Sequence, residues 1–174
     1  MTTKEQTTPK FLSILGILHL GFGAMIAGGA TMEILNMLLP TLMPAIQNNR
    51  FMQLHHTEPV LGAWTVASNG VNLLIGLGFI AAGLGIFRRR SWVPRLSRVC
   101  AQALIGIALG GALVCAVYLY PPALESMRSL DPALRIQGLV FLVSMIAAAV
   151  CLPIYPAIVW WTFSRPRVHA MFRL

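Results

Sequence analysis

Three groups of residues in this chain carry side chains suited to chemistry. The first is the run Met52-x-x-His55-His56-x-Glu58. Imidazole suits copper and zinc, and thioether sulfur suits Cu(I). Met25, Met32, Met37 and Met43 precede the run. Adjacent histidines, however, point in different directions in any regular structure. No second ligand pair has matched spacing, and a closed structural zinc site needs four ligands. Met52, His55, His56 and Glu58 therefore read first as a surface segment and second as a metal or redox site.

His19 is the second feature, a lone imidazole inside a long apolar run. Haem ligation by two imidazoles needs a second histidine level with the first on a facing helix. His55, His56 and His169 all fall outside the apolar runs, so the sequence implies no cofactor strongly. The third group is Asn69 and Asn72, three residues apart and hence on one helical face. Gln102 and Ser144 are further polar residues within apolar runs. Such residues hydrogen-bond between helices, or they line a ligand or ion path. On the second reading the path is lined by His19, Asn69 and Asn72.

Catalytic patterns are missing. No phosphate-binding glycine loop with a lysine, nucleophile elbow or zinc-protease helix occurs. The apolar runs hold no Asp, Glu, Lys or Arg except at their ends. A pump or proton-coupled transporter needs an ionisable group at depth, and only His19 qualifies. The sequence gives no ground for an enzyme.

The elements that carry these residues are four apolar runs, at approximately 11–30, 60–87, 99–120 and 138–163. The first, Phe11–Ala30, holds twenty residues with no formal charge. At 1.5 Å rise per residue it spans roughly 30 Å, the thickness of a bilayer's hydrocarbon core. Hydrophobic residues make up 57% of the 174-residue chain and charged ones 10%. Soluble domains carry about 25% charged residues. The expected fold is all-α: one four-transmembrane-helix bundle filling residues 1–174, with short interfacial helices in the outer loops. Lys4 and Lys10 ahead of the first run resemble the start of a signal peptide; the run is read as a retained span.

Orientation follows from the basic residues. Lys4, Lys10, Arg88, Arg89, Arg90, Arg95, Arg98, Arg165, Arg167 and Arg173 fall on one side of the spans, and Arg50, Arg128 and Arg135 on the other. The positive-inside rule puts both termini in the cytoplasm, the expected site being a bacterial inner membrane. The net charge of +8 thus reflects topology. Nucleic acid is excluded because no base-stacking aromatic pattern accompanies the arginines. Arg88, Arg89 and Arg90 are also suited to anionic lipid headgroups. Trp64, Trp92, Tyr118, Tyr120, Trp160 and Trp161 lie near span ends as interfacial anchors.

Small residues recur four apart: Ala24 and Gly28, Ala81 and Gly85, Gly106 and Gly110. Such faces let helix backbones approach closely, within the chain or against another subunit. Pro153 and Pro156 predict a bend in the fourth run. Pro40 and Pro44 predict the end of an extension of the first helix, and Pro121-Pro122 the opening of a loop. Cys100, Cys115 and Cys151 lie in or beside apolar runs, with Cys115 and Cys151 roughly 12 Å apart in depth, so free thiols are expected. The leading expectation is a non-catalytic integral subunit of a larger membrane assembly. A small channel or transporter and a metal or redox protein are the alternatives. The partners expected are the bilayer and other membrane subunits or a second copy.

Overall fold

The computed structural model describes residues 10–38, Leu54 and 57–172. Helix α1 is Lys10–Leu38, α2 is Pro59–Phe87 and α3 is Val93–Val114. A single π-helical turn, Cys115–Leu119, carries α3 into α4, Tyr120–Met127. Helices α5, Pro132–Cys151, and α6, Ile154–Phe163, form the fourth span, and α7, Pro166–Ala170, follows. No strand occurs among the described residues. Four segments are long and apolar enough to cross a bilayer: Lys10–Met37, Pro59–Phe87, Val93–Met127 and Pro132–Phe163.

Four expected boundaries change, one of them the start of the fourth span, which lies at Pro132 rather than Gly138. The first helix continues to Leu38, the extension that its mixed apolar and polar residues allowed. The third begins at Val93 rather than Val99, because Pro94 sits comfortably in a first helical turn. Arg95 and Arg98 therefore lie on a helix, not in a loop. Pro121-Pro122 does not open a loop either. Both prolines occupy the first turn of α4, and the Tyr120 N–H reaches back to the Cys115 carbonyl across the π turn. The expected interfacial helix of this loop is thus joined to the third span. Pro40, Pro44 and the first outer loop through Gln53 lie outside the described residues.

Helices α1 and α2 form an antiparallel hairpin in contact along much of their length. Its seam is glycine. A side chain on Gly76 would stand 2.6 Å from the Ala27 nitrogen and 2.8 Å from the Gly23 carbonyl oxygen. One on Gly83 would stand 3.0 Å from the Gly16 carbonyl oxygen. Gly16 and Gly23 are seven apart, as are Gly76 and Gly83. Seven residues make nearly two turns, so both members of each pair stay on one face. The backbones meet there without side chains between them.

The turn after α2 is a Schellman cap. The Arg90 N–H donates to the Gly85 carbonyl and the Arg89 N–H to the Ile86 carbonyl, both at 3.0 Å. Arg89 takes φ 46°, the left-handed region normally given to glycine. Arg89→Gly is expected to stabilise the fold by ~0.5–1 kcal/mol by relieving that conformation. Denaturant titration of the two proteins checks it, and an unchanged or lower midpoint refutes the strain.

The arginine-rich end holds the core: Leu12, Phe79, Ile86, Val93, Ala101, Val159 and Phe163, closed from below by Val168 and Phe172. Both described ends of the chain and the Arg88–Trp92 turn therefore share one end of the bundle. At the other end Gly138 brings α5 against α4, where an added Cβ would stand 2.9 Å from the Ala123 carbonyl oxygen. Asp131 starts α5, its carboxylate accepting from the Ala133 N–H at 2.9 Å. Pro153 and Pro156 divide the fourth span, as expected: α5 ends at Cys151 and α6 starts at Ile154.

Candidate functional site

Two polar places lie within the bundle, and they are separate. The first is built on His19, which is fully buried. Nδ1 lies 2.9 Å from the Leu15 carbonyl oxygen and 2.8 Å from the Tyr155 hydroxyl. Nε2 lies 3.2 Å from Ser97 Oγ. With the proton on Nδ1, the ring donates to Leu15 and Tyr155 and accepts from the serine hydroxyl. With the proton on Nε2, it donates to Ser97 and accepts from the tyrosine hydroxyl. The Leu15 carbonyl can only accept, so the tautomer with the proton on Nδ1 is the one that fits; the other sets the Nδ1 lone pair against that oxygen.

Each partner comes from a different helix, and the proline break explains one of them. Tyr155 sits between Pro153 and Pro156, in the first turn of α6, where the bend brings its ring to α1. Its ring centroid is 5.8 Å from that of His19 and 4.3 Å from that of Phe22. Phe79 of α2 and Phe163 of α6 meet the imidazole edge to face at 5.5 and 5.6 Å. Ser97 rises from the first turns of α3 and is also fully buried. A histidine nitrogen beside a serine hydroxyl resembles a base beside a nucleophile. Here both groups are fully buried, and the imidazole is packed against Phe79, Tyr155 and Phe163. What the cluster does is tie α1, α3 and α6 together around one ring.

The second place is a half-enclosed cavity of about 390 Å³ between α2, α3 and α5. Trp64, Ser68 and Asn72 line it from α2, four residues apart on one face. Small residues of α3 and α5, among them Ala112 and Ala148, form the facing walls. The Asn72 side-chain oxygen is covered and has no hydrogen-bond partner among the described residues. The Ser68 hydroxyl donates to the Thr65 carbonyl at 3.2 Å. The gap exists because α3 and α5 are held near their ends. α3 packs on α6 below, and α4 packs on α5 above, while α3 and α5 touch little between.

No family model, curated protein or solved structure matches this chain. The site is therefore read from its own geometry.

The expected path of His19, Asn69 and Asn72 is not one continuous feature. Asn72 lines the cavity, Asn69 does not, and His19 lies in the closed aromatic cluster. Of the small residues singled out for helix packing, Gly85 is buried against Val93 and Trp92, and Gly110 lies directly under the Trp64 ring. Gly28 and Gly106 have no described residue within 4 Å of an added Cβ. Ala24 and Ala81 are exposed. Within the chain the seam runs instead through Gly16, Gly23, Gly76 and Gly83. Trp64, expected as an anchor at the membrane surface, turns inward over Gly110 because no side chain stands there.

Arg88 and Arg90 are exposed beside the half-buried Arg89, and the Arg165 guanidinium stacks 3.5 Å over the Trp161 ring. Met52, His55 and His56 lie outside the described residues. Glu58 is the exposed residue preceding α2. No group of three metal-binding side chains occurs among the described residues. Gln102 and Ser144 are exposed rather than interior. The three cysteines are free thiols.

Sequence reasoning missed Ser97 and Tyr155. Tyr155 carried a usable signal, as a hydroxyl in an apolar run flanked by two prolines. Ser97 carried little, because it sits between Arg95 and Arg98 and reads as part of a basic turn.

Proposed function

We propose that the chain is a multi-pass inner-membrane protein with both termini cytoplasmic, and that it serves as a small non-catalytic subunit of a larger membrane assembly. The observation that carries this is the state of the fourth span. Only 6% of its most apolar stretch is buried within the chain, against 39% for the second span. Val143, Ser144 and every residue from Ile146 to Leu152 are exposed. A bundle helix ordinarily covers one face; this stretch covers none.

Its outer face is suited to another helix. Val140, Ser144, Ala147 and Cys151 recur at three- and four-residue steps, the spacing of one helical stripe. Their small side chains permit close backbone approach, and the Ser144 hydroxyl has no side-chain hydrogen bond among the described residues. In lipid such a hydroxyl favours a partner across a helix interface. The exposed Gln102 and the open Gly106, one turn further along α3, offer a second such strip. The closed His19 cluster agrees with a structural role, since its polar groups are engaged within the chain. The eight described basic residues at one end, Lys10, Arg88, Arg89, Arg90, Arg95, Arg98, Arg165 and Arg167, support the orientation.

Purification in mild detergent is expected to return a stoichiometric membrane partner. Ala147→Phe should lower its recovery at least tenfold while leaving the chain's own helicity and monodispersity intact. Cys151 should resist a membrane-permeant maleimide in native membranes and react once the chain is isolated. A monodisperse chain without a partner, carrying a Cys151 that reacts equally in both states, refutes the subunit role. Labelling of Arg89 and Arg167 on opposite membrane faces refutes the topology.

A further inference from the structure

We propose that the arginine-rich end of the bundle binds the headgroup of an anionic phospholipid, holding its phosphate on Arg88, Arg90, Arg95 and Arg165. The proposal rests on the membrane reading but not on the accessory role. Segments 1–10, 88–98 and 164–174 hold ten Lys or Arg and a single carboxylate side chain, Glu5. The described carboxylate side chains, on Glu33, Glu58, Glu125 and Asp131, all lie at the other end of the bundle. Like charges gathered without counter-charges repel one another and attract anions.

The residue type is selective. Lysine and arginine satisfy the positive-inside rule alike. Between 88 and 98, and again between 164 and 167, all seven basic residues are arginine. A planar guanidinium sets two parallel N–H donors on one phosphate, which an ammonium cannot do. The turn that carries two of them is fixed. The Arg90 N–H donates to the Gly85 carbonyl at 3.0 Å, and the Arg90 carbonyl accepts from the Val93 N–H at 3.2 Å. Val93 and Trp92 lie back on Gly85, at 2.6 and 2.8 Å from where its Cβ would stand. Arg88 and Arg90 are exposed two residues apart, with Cα atoms within about 7 Å. A platform ordered in advance loses little entropy when it binds.

The neighbouring helices add to it. Arg95 is exposed in the first turn of α3, and Arg165 follows the end of α6, which packs on α3. The Arg165 guanidinium lies 3.5 Å over the Trp161 ring. One flat face is covered, and the in-plane N–H groups remain for an oxygen ligand. Trp92, Trp160 and Trp161 are exposed at the same end. Tryptophan settles at the headgroup layer, so these guanidinium groups stand at the depth of lipid phosphates. Basic clusters between spanning helices on the cytoplasmic side are a recurring form of anionic-lipid site. An acidic protein segment would first have to displace the headgroups already at that depth, which favours the lipid.

The test uses the full chain in a neutral detergent with a fluorescent dioleoyl phosphatidylglycerol as probe, followed by anisotropy. Binding is expected to saturate. Unlabelled phosphatidylglycerol should compete at least tenfold better than phosphatidylcholine, free glycerol phosphate or a deca-glutamate peptide. Arg88→Gln with Arg90→Gln should raise Kd at least tenfold, from roughly fivefold for each arginine. Arg88→Lys with Arg90→Lys keeps the charge but loses the paired donors, and should still bind about threefold more weakly than the unaltered chain. Arg128→Gln, exposed at the opposite end, should leave Kd unchanged. Arg95→Gln with Arg165→Gln stands in if the turn variants do not fold. Equal competition by phosphatidylcholine, glycerol phosphate or the peptide, an unchanged Kd in the glutamine pairs, or full binding by the lysine pair overturns the proposal. Because the isolated chain is used, failure here leaves the subunit role standing, and the lack of a protein partner leaves this binding untouched.

Discussion

Gly76→Ala is expected to destabilise the protein by roughly 2–3 kcal/mol, a large effect for a single methyl group. The added carbon has nowhere to go. It would stand 2.6 Å from the Ala27 nitrogen, 2.8 Å from the Ala27 Cβ and 2.8 Å from the Gly23 carbonyl oxygen. Two of those three atoms are backbone, so no rotamer change relieves the clash and the helices must separate. Alanine is otherwise the better helix former by about 1 kcal/mol, so steric overlap has to exceed that gain. Gly76→Val should exceed 3 kcal/mol and prevent a stable hairpin. Gly21→Ala is the control: it lies on the same helix as Gly23, but no described residue stands within 4 Å of its added Cβ. That substitution should be neutral or slightly stabilising. Unfolding in graded denaturing detergent, followed by circular dichroism, measures all three. Equal melting of Gly76→Ala and Gly21→Ala would falsify the seam.

His19→Ala should cost about 3–5 kcal/mol, from two effects of unequal size. Removing a mid-sized buried side chain leaves a cavity worth ~2–4 kcal/mol. Losing the bonds to Ser97 and Tyr155 adds less, because interhelical hydrogen bonds in lipid average ~0.6 kcal/mol and rarely exceed ~1.7. His19→Leu, which nearly preserves volume, should therefore recover about half of the loss. Ser97→Ala and Tyr155→Phe should each cost ~0.5–1.5 kcal/mol. A double-mutant cycle of His19→Leu with Tyr155→Phe should show a coupling of ~0.5–1.5 kcal/mol, since the hydroxyl and the ring share one bond. Additive losses would mean that the 2.8 Å contact contributes no measurable stability, and the cluster would then be aromatic packing alone.

The elements were more legible than their meetings. Apolar length marks a spanning helix directly, so the second span came within a residue of its observed limits; the fourth ended as expected but began six residues earlier, at Pro132. The third was misplaced at its start because Arg95 and Arg98 look like loop residues until Pro94 is recognised as a first-turn residue. Small-residue patterns located candidate faces but not the used ones. Four-residue spacing drew attention to Gly28 and Gly106, which are open, whereas the seam follows the seven-residue spacing of Gly16 with Gly23 and Gly76 with Gly83. A motif states that a close approach is sterically possible; which helix arrives depends on the register of the hairpin. The same holds for the tail. Arg165 and Arg167 mark one end of the fourth span, while the burial of Val168 and Phe172 becomes visible only when the chain turns back under the core.

Composition and run length alone determined that four helices are long and apolar enough to cross a bilayer and at which of their ends the arginines gather, because each is a property of residues adjacent in the chain. Tertiary structure alone decided that His19 meets Ser97 and Tyr155, residues 78 and 136 positions away, and that Asn72 is among the residues lining the gap between α2, α3 and α5. Those facts depend on how four rods lean on one another. That is set by where glycine removes a side chain and where proline bends a helix, and neighbours along the chain carry no record of it.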